Sequence, residues 1–93
     1  MSLSQSAHWL VTYDIADPRR LARVFKRIRK AGTPVQYSVF AVEGNTLQLK
    51  MLMAQLARLI DARDDDVRAY RLPERGWRAT LGQAILPEGI LLE

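Results

Sequence analysis

The sequence predicts a small α+β domain in which two helices pack on one face of a sheet. Residues 9–13, WLVTY, are the aromatic, aliphatic and β-branched types that favour a buried strand. The next apolar residues are spaced i, i+3, i+4 and i+7, as on one face of a helix: Leu21, Val24, Phe25 and Ile28. A second helical pattern at residues 49–60 is followed by the strand pattern VRAYRL at residues 67–72. Strands and helices in this order indicate an α+β domain.

Composition sets the class of protein. With 93 residues and 48% hydrophobic content, the chain is one small folded domain with little spare buried surface. It has no cysteine and no apolar run of about 20 residues, and its first eight residues lack the features of a secretory signal. We therefore expect a cytoplasmic protein that does not enter a membrane. The formal net charge of +4 favours polyanionic partners.

A carboxylate stands at the end of the first predicted strand. Asp14 follows the strand directly, and in open α/β sheets ligands tend to bind beyond the carboxyl ends of strands. Asp17 and Pro18 then form a helix start, with a side-chain acceptor at the cap followed by a residue of preset φ. The two acids are thus predicted to have different roles.

The first helix is strongly basic. No acid occurs at residues 18–32, and this segment holds seven of the 14 Lys and Arg residues of the chain. They are Arg19, Arg20, Arg23, Lys26, Arg27, Arg29 and Lys30. Phosphate backbones bind such faces, whereas a merely solvated face usually carries interleaved acids. Gly32 is predicted to end this helix by adopting a positive φ.

The rest of the chain completes a ferredoxin-like βαββαβ plan. Residues 35–42 are one long strand or two short ones, and a bend within residues 35–43 would supply the fourth strand. Asn45 or Thr46 is predicted to cap a second helix that runs to about Ala62, and residues 64–66 are predicted to form a solvated acidic turn. The single domain spans residues 1–93, with a core at about 8–72. Residues 73–93, which end in the apolar tail 89–93, are expected to join the partner's sheet in a homodimer.

Asp14 is the candidate catalytic and metal-binding residue. Divalent cations such as Mg²⁺ take oxygen ligands, and a phosphate substrate supplies more of them. One carboxylate makes a poor site, but a twofold axis that brings together two copies of Asp14 would remedy this. The alternative is a structural role in which Asp14 hydrogen-bonds the loop that follows it.

Two segments together resemble the CRISPR-associated protein 2 family. These are VTYDIADPRRLARVFKRIRKAG and VQYSVF, followed by a helix and DDDVRAYRL, so the resemblance covers roughly residues 9–72. The resemblance implies a ferredoxin-like homodimer whose C-terminal segment crosses to the partner's sheet. It also implies metal-dependent cleavage of single-stranded RNA or double-stranded DNA, and a scaffold role in spacer acquisition beside the integrase, CRISPR-associated protein 1.

The family's site residues fall on matching positions of this sequence. Its strand-end aspartate falls on Asp14, after Tyr13, and would hold Mg²⁺ with the copy across the dimer axis. The arginines that follow fall on Arg19, Arg20 and Arg23, while the second motif contributes Ser38 and Phe40. The nucleic-acid-binding residues are predicted to be these three arginines together with Lys26, Arg27 and Lys30.

Two functions of different classes follow. In the first, the dimer is a basic adaptor that binds nucleic acid and supports spacer integration with the integrase subunit. In the second, it is a Mg²⁺-dependent endonuclease that uses Asp14. A third reading is a ferredoxin-like toxin-type ribonuclease or a small metabolic regulatory domain, which the absence of a neighbouring integrase gene and repeat array would favour.

Overall fold

The chain folds into a four-stranded antiparallel sheet and two helices, in a computed structural model that describes residues 5–75. The elements in chain order are β1 (Ala7–Asp14), α1 (Pro18–Ile28), β2 (Gly32–Gln36), β3 (Val39–Gly44), α2 (Thr46–Ala57) and β4 (Asp66–Arg71). The strands lie in the order β2-β3-β1-β4. This arrangement confirms the predicted α+β, ferredoxin-like βαββαβ fold. Most of the predicted dimerisation segment, residues 76–93, lies outside the described residues.

The central strand β1 alternates between two apolar layers. Trp9, Val11 and Tyr13 face the helices and join the main core, to which α1 contributes Val24 and Ile28 and α2 contributes Leu49, Leu52 and Leu56. Leu10 lies in a second apolar cluster with Val39. Since successive side chains of a strand point to opposite faces, Tyr13 and Asp14 are directed to opposite sides of the sheet. This alternation places the candidate carboxylate away from the helices.

Both helices begin where the sequence predicts. The Asp17 side chain accepts hydrogen bonds from the backbone N–H groups of Arg19 and Arg20, and Pro18 is the first helical residue. Asn45 caps α2 in a reciprocal capping box with Gln48. Side-chain capping is a local interaction, so short sequence patterns were sufficient to locate it.

Both helices end earlier than predicted. The α1 helix stops at Ile28, where the predicted end was Ala31, and α2 stops at Ala57, where about Ala62 was expected. After α1, the N–H of Ala31 donates to the carbonyl of Ile28 at 2.9 Å, a three-residue span that tightens the last turn. The apolar spacing continued past the α-helix because the following turns also bury side chains.

Residues 35–42, for which the sequence allowed one long strand or two short ones, belong to a β-hairpin. β2 and β3 pair through a register shift between Pro34 and Gln36, and the turn between the strands contains Ser38 with a φ of 64°. The carbonyl of Ser38 accepts a hydrogen bond from the backbone N–H of Tyr13 at 3.1 Å. The turn is thereby fixed beside the end of β1.

Gly32 has a different role from the predicted one. It is the first residue of β2, and the residue that caps α1 is Arg29. A Cβ at Gly32 would clash with the carbonyl of Ala41 and lie 2.8 Å from Cγ2 of Val42. Close approach of β3 therefore requires glycine at this position.

Replacing Gly32 with alanine should lower stability by roughly 1–3 kcal/mol, because the added methyl group forces β2 away from β3. Chemical denaturation of the variant and the wild type measures this difference. Thr33→Ala, at the exposed next position of the same strand, is the control and should have a much smaller effect. Equal stability of Gly32→Ala and wild type would contradict the close approach.

Several large apolar residues remain exposed. Phe25 was predicted within the buried stripe of α1 but is 41% exposed, and Leu47 and Met51 of α2 are 63% and 56% exposed. Tyr37, in the β2–β3 turn, is 82% exposed. Over residues 5–75, neither helix is long and apolar enough to cross a membrane.

Candidate nucleic-acid interface and carboxylate pair

Two carboxylates lie opposite each other at one end of the sheet. Asp14, the last residue of β1, is paired in register with Asp66, the first residue of β4. Residues directly opposite in an antiparallel pair point to the same face, so these side chains are neighbours. Both residues are exposed, and Asp66 accepts a hydrogen bond from Nε of Arg68 at 2.6 Å. The pair is thus open to solvent and only partly neutralised.

A buried carboxylate anchors the loop that follows Asp14. The side chain of Asp65 is fully buried and accepts a hydrogen bond from the backbone N–H of Ala16 at 2.9 Å and from that of Asp61 at 2.8 Å. Nε of Arg20 donates to the same carboxylate at 2.7 Å, and Nη2 donates at 3.1 Å. One side chain therefore joins the loop after β1, the helix α1 and the turn before β4.

This network changes the acidity of its carboxylate. The guanidinium hydrogen bonds from Arg20 hold the pKa of Asp65 well below its usual range, although burial acts in the opposite direction. The backbone donors at Ala16 and Asp61 also stabilise the charged form. Asp65 is therefore ionised whenever the protein is folded near neutral pH. The predicted solvated turn at residues 64–66 is wrong at this residue.

The basic residues of α1 divide into two groups. Four exposed ones follow each other at spacings of four, three and four along α1 and the turn after it. We call Arg19, Arg23, Lys26 and Lys30 the basic face. No ion pair within residues 5–75 engages any of them. Because α1 carries no acid, the face has no internal compensation. Its charge is available to an anionic ligand.

The other two predicted nucleic-acid-binding residues have protein partners. Arg20 is held by Asp65, and Nε of Arg27 donates to Oε1 of Gln55 on α2 at 2.6 Å. Both residues are half-buried. The structure therefore gives Arg20 and Arg27 roles in joining α1 to the rest of the fold, while their contact with nucleic acid stays a prediction.

The three motif residues lie together behind the end of β1. Tyr13 and Phe40 are buried, with ring centroids 6.2 Å apart, and Ser38 occupies the turn beside them. Burial raises the pKa of the Tyr13 phenol. These residues support the loop and the turn around the sheet end, on the face opposite Asp14.

The family model for "CRISPR associated protein Cas2" matches residues 7–80. The chain belongs to the Cas2 family. A Nitrosomonas europaea protein named CRISPR-associated endoribonuclease Cas2 1 is 45% identical over 82 residues, which cover 88% of this chain and 78% of that protein. A Thermodesulfovibrio yellowstonii protein named CRISPR-associated endoribonuclease Cas2 2 is 41% identical over 83 residues, covering 88% and 91% of the two chains.

A solved Cas2 structure agrees with the fold. Streptococcus pyogenes Cas2 superposes with a TM-score of 0.71 at 31% identity, over 78% of this chain and 93% of that one. The resemblance stated from the two sequence segments is therefore confirmed.

Sequence reasoning missed the placement of two acids at this end of the sheet. Asp66 was not recognised as a neighbour of Asp14, and Asp65 was not recognised as the partner of Arg20. Both were interpreted as part of a solvated acidic turn. The available signal was the strand pattern beginning at Val67. If that strand pairs antiparallel with β1, its first residues lie beside the last residue of β1, which is Asp14.

The donor set near Asp14 fits a lightly coordinated divalent cation. No group of three or more metal-ligating side chains occurs among residues 5–75. Mg²⁺ commonly keeps several waters and binds through one or two carboxylates plus substrate phosphates. The exposed pair Asp14 and Asp66 satisfies that requirement in number and chemistry. Such an ion would take its remaining ligands from water and substrate, because residues 5–75 offer no third ligating side chain at this point.

Proposed function

We propose that this protein is a dimeric nucleic-acid-binding adaptor of CRISPR adaptation, which supports integration of new spacers together with the integrase CRISPR-associated protein 1. The observation that carries the proposal is the acid-free basic face of α1. A row of unpaired Lys and Arg side chains binds a phosphate backbone without reading its sequence. Such binding suits a scaffold that must accept many different spacers. The proposal places this activity in the cytoplasm.

The dimer is part of the proposal. Residues 73–93 are assigned to cross between subunits and complete the partner's sheet. Two copies would present two basic faces, which lengthens the stretch of duplex that can be bound and raises the affinity through multivalency. Light scattering of the purified protein should give the mass of two chains. A strictly monomeric protein that binds no polynucleotide would overturn the adaptor proposal.

A second candidate function is Mg²⁺-dependent endonuclease activity on RNA or DNA. It is favoured by the carboxylate pair and by the names of the two relatives, both of which are called endoribonucleases. Asp14 would hold the ion, with Asp66 or a second copy of Asp14 as the other carboxylate. When bound, Mg²⁺ supplies polarisation of a phosphoryl oxygen and a more acidic water. Arg19 and Arg23 would hold the scissile phosphodiester near the sheet end.

Asp14→Asn should lower Mg²⁺-dependent cleavage by about 10²-fold, because the amide keeps the side-chain shape but removes the negative charge that holds the cation. The measurement is cleavage of labelled single-stranded RNA and duplex DNA by purified protein, with and without Mg²⁺. Asp64→Asn, a change at an exposed acid in the turn before β4, is the matched control.

The same variant separates the two functions. Asp14→Asn should leave duplex binding and spacer capture in cells intact if the adaptor role is independent of cleavage. Undiminished cleavage by Asp14→Asn would contradict the nuclease assignment, since the activity would then come from another site or from a contaminant. Loss of spacer capture with normal DNA binding would show that the carboxylate is needed for adaptation.

A further inference from the structure

A cavity separate from the carboxylate pair opens on the helix side of the sheet. It has a volume of about 450 Å³ and lies between the first half of α1 and the β2–β3 turn. Its walls are mostly apolar. Six of its lining residues are Leu21 and Phe25 from α1, Tyr13 and Phe40 from the sheet, and Gln36 and Tyr37 from the hairpin. Four of these six are aromatic.

Two of the aromatic residues are exposed, so only part of their surface is used in packing within the domain. Phe25 is 41% exposed and Tyr37 is 82% exposed, whereas Tyr13 and Phe40 are buried. The Phe25 ring meets the Phe40 ring edge to face, with centroids 5.7 Å apart. Exposed aromatic rings beside a cavity are a platform for stacking, and every nucleobase offers a flat face to such a platform.

A polar side chain of the cavity wall has an acceptor without a partner. Oε1 of Gln36 is enclosed and accepts no hydrogen bond from the described residues, and the residue itself lines the cavity. An unpaired buried acceptor is costly, so rotation of the side chain towards an occupant with an N–H group would relieve that cost. Nucleobases carry N–H donors on their edges, and aliphatic side chains do not. This observation favours a base over a purely apolar occupant.

The charges beside the cavity suit a phosphodiester chain. The guanidinium of Arg29 lies over the Phe25 ring, 5.7 Å from its centroid, and Arg29 follows Phe25 by four residues on α1. Lys26, a member of the basic face, follows the cavity residue Ala22 by the same spacing. The apolar cavity and the basic face therefore adjoin each other along one helix. A base in the cavity would bring its own phosphate to that face.

We propose that the cavity binds one unstacked nucleobase of a single-stranded nucleic acid, while the adjoining phosphates lie on the basic face. The inference rests on the proposed nucleic-acid binding and adds a preference for single strands with accessible bases. It gives Phe25 and Tyr37 the role of stacking the base. Gln36, after rotation of its side chain, provides a hydrogen-bonding group for the edge of that base.

The test compares three fluorescent probes: a 12-nucleotide oligouridine, a 12-residue abasic strand with the same number of phosphates, and a DNA duplex. Wild-type protein should bind oligouridine more tightly than the abasic strand. Stacking of one base on an aromatic ring raises the affinity by about 5- to 150-fold. Tyr37→Ala and Phe25→Ala should therefore each weaken the affinity for oligouridine by a factor within that range. Neither variant should change binding of the abasic strand or the duplex.

Controls keep the outcomes distinct. Leu47→Ala, at an apolar residue of α2 that is 63% exposed, a value between those of Phe25 and Tyr37, should bind all three probes as wild type does. Photocrosslinking of 5-iodouridine in the same strand should label Tyr37 or Phe25. Circular dichroism should show that the two aromatic variants stay folded, because both rings are partly in solvent.

The outcomes also separate this inference from the function on which it rests. Equal binding of oligouridine and abasic strand would overturn the nucleobase site while leaving phosphate binding by the basic face intact. Failure of wild type to bind any of the three probes would overturn the proposed function itself. If Tyr37→Ala instead weakened self-association without a base-dependent effect, the cavity would hold a second copy of the chain, which also overturns the proposal.

Discussion

Reversing the charge of Arg23, Lys26 and Lys30 to glutamate should weaken duplex DNA binding by roughly 10³-fold at low salt. The three side chains are exposed, follow one another along α1 and the turn after it, and make no ion pair among the described residues. Each contact with a phosphate releases a condensed counterion, so the loss of three contacts lowers the binding constant and its dependence on salt together. The slope of log K against log salt should decrease in magnitude by about 3.

Fluorescence anisotropy over a range of salt concentrations measures both quantities. The matched control reverses Lys50, Arg58 and Arg75, which are exposed residues outside α1, and produces the same change in net charge. This control should retain most of the affinity if the location of the charge matters. Unchanged DNA binding by the α1 variant at low salt would exclude the basic face as the binding surface.

Asp65→Ala should lower the melting temperature by roughly 10 °C or more, because it leaves a half-buried guanidinium and two backbone donors without their acceptor. Those donors are Arg20 and the N–H groups of Ala16 and Asp61. Thermal unfolding followed by circular dichroism measures the change. Asp64→Ala, at the exposed neighbouring acid, should leave the melting temperature close to that of wild type.

The contribution of Asp65 should also depend on pH in a defined direction. The folded-state pKa of Asp65 is well below the unfolded value, so its stabilising effect is complete above about pH 4 and is lost as the pH falls towards the folded pKa. The difference in melting temperature between wild type and Asp65→Asn should therefore shrink below about pH 4. A difference that grows on acidification would contradict the Arg20–Asp65 ion pair.

Local features of the fold were predictable from the sequence, whereas contacts between distant segments were not. Asp17 and Asn45 were identified as caps because a cap acts on residues two or three positions away. The residue types at positions 9–13 likewise predicted that Asp14 would stand at a strand end. The pairing of Asp14 with Asp66 depends on the register between β1 and β4, which no local pattern specifies.

The partners of the basic residues were also hidden from the sequence, because they lie on distant segments. Seven basic residues on one helix predicted a nucleic-acid interface, but sequence spacing could not distinguish exposed members from those with protein partners. Arg20 and Arg27 are engaged by Asp65 and Gln55, each on a distant segment. Burial of one aspartate in a run of three is also invisible locally, because all three look equally solvated. The set of basic residues without a protein partner among the described residues is therefore smaller than the composition of the helix suggests.

The Asp65 network has a consequence for biosynthesis. The loop beside Asp14 is fastened by a residue that is synthesised after both helices, immediately before β4. A nascent chain that has emerged from the ribosome only as far as α2 thus lacks the acceptor for Ala16 and Arg20, and it also lacks Asp66. If cleavage requires Asp66, a chain of that length cannot cut RNA, and activity begins only after β4 has emerged. Activity assays on ribosome-stalled chains of increasing length would locate that point.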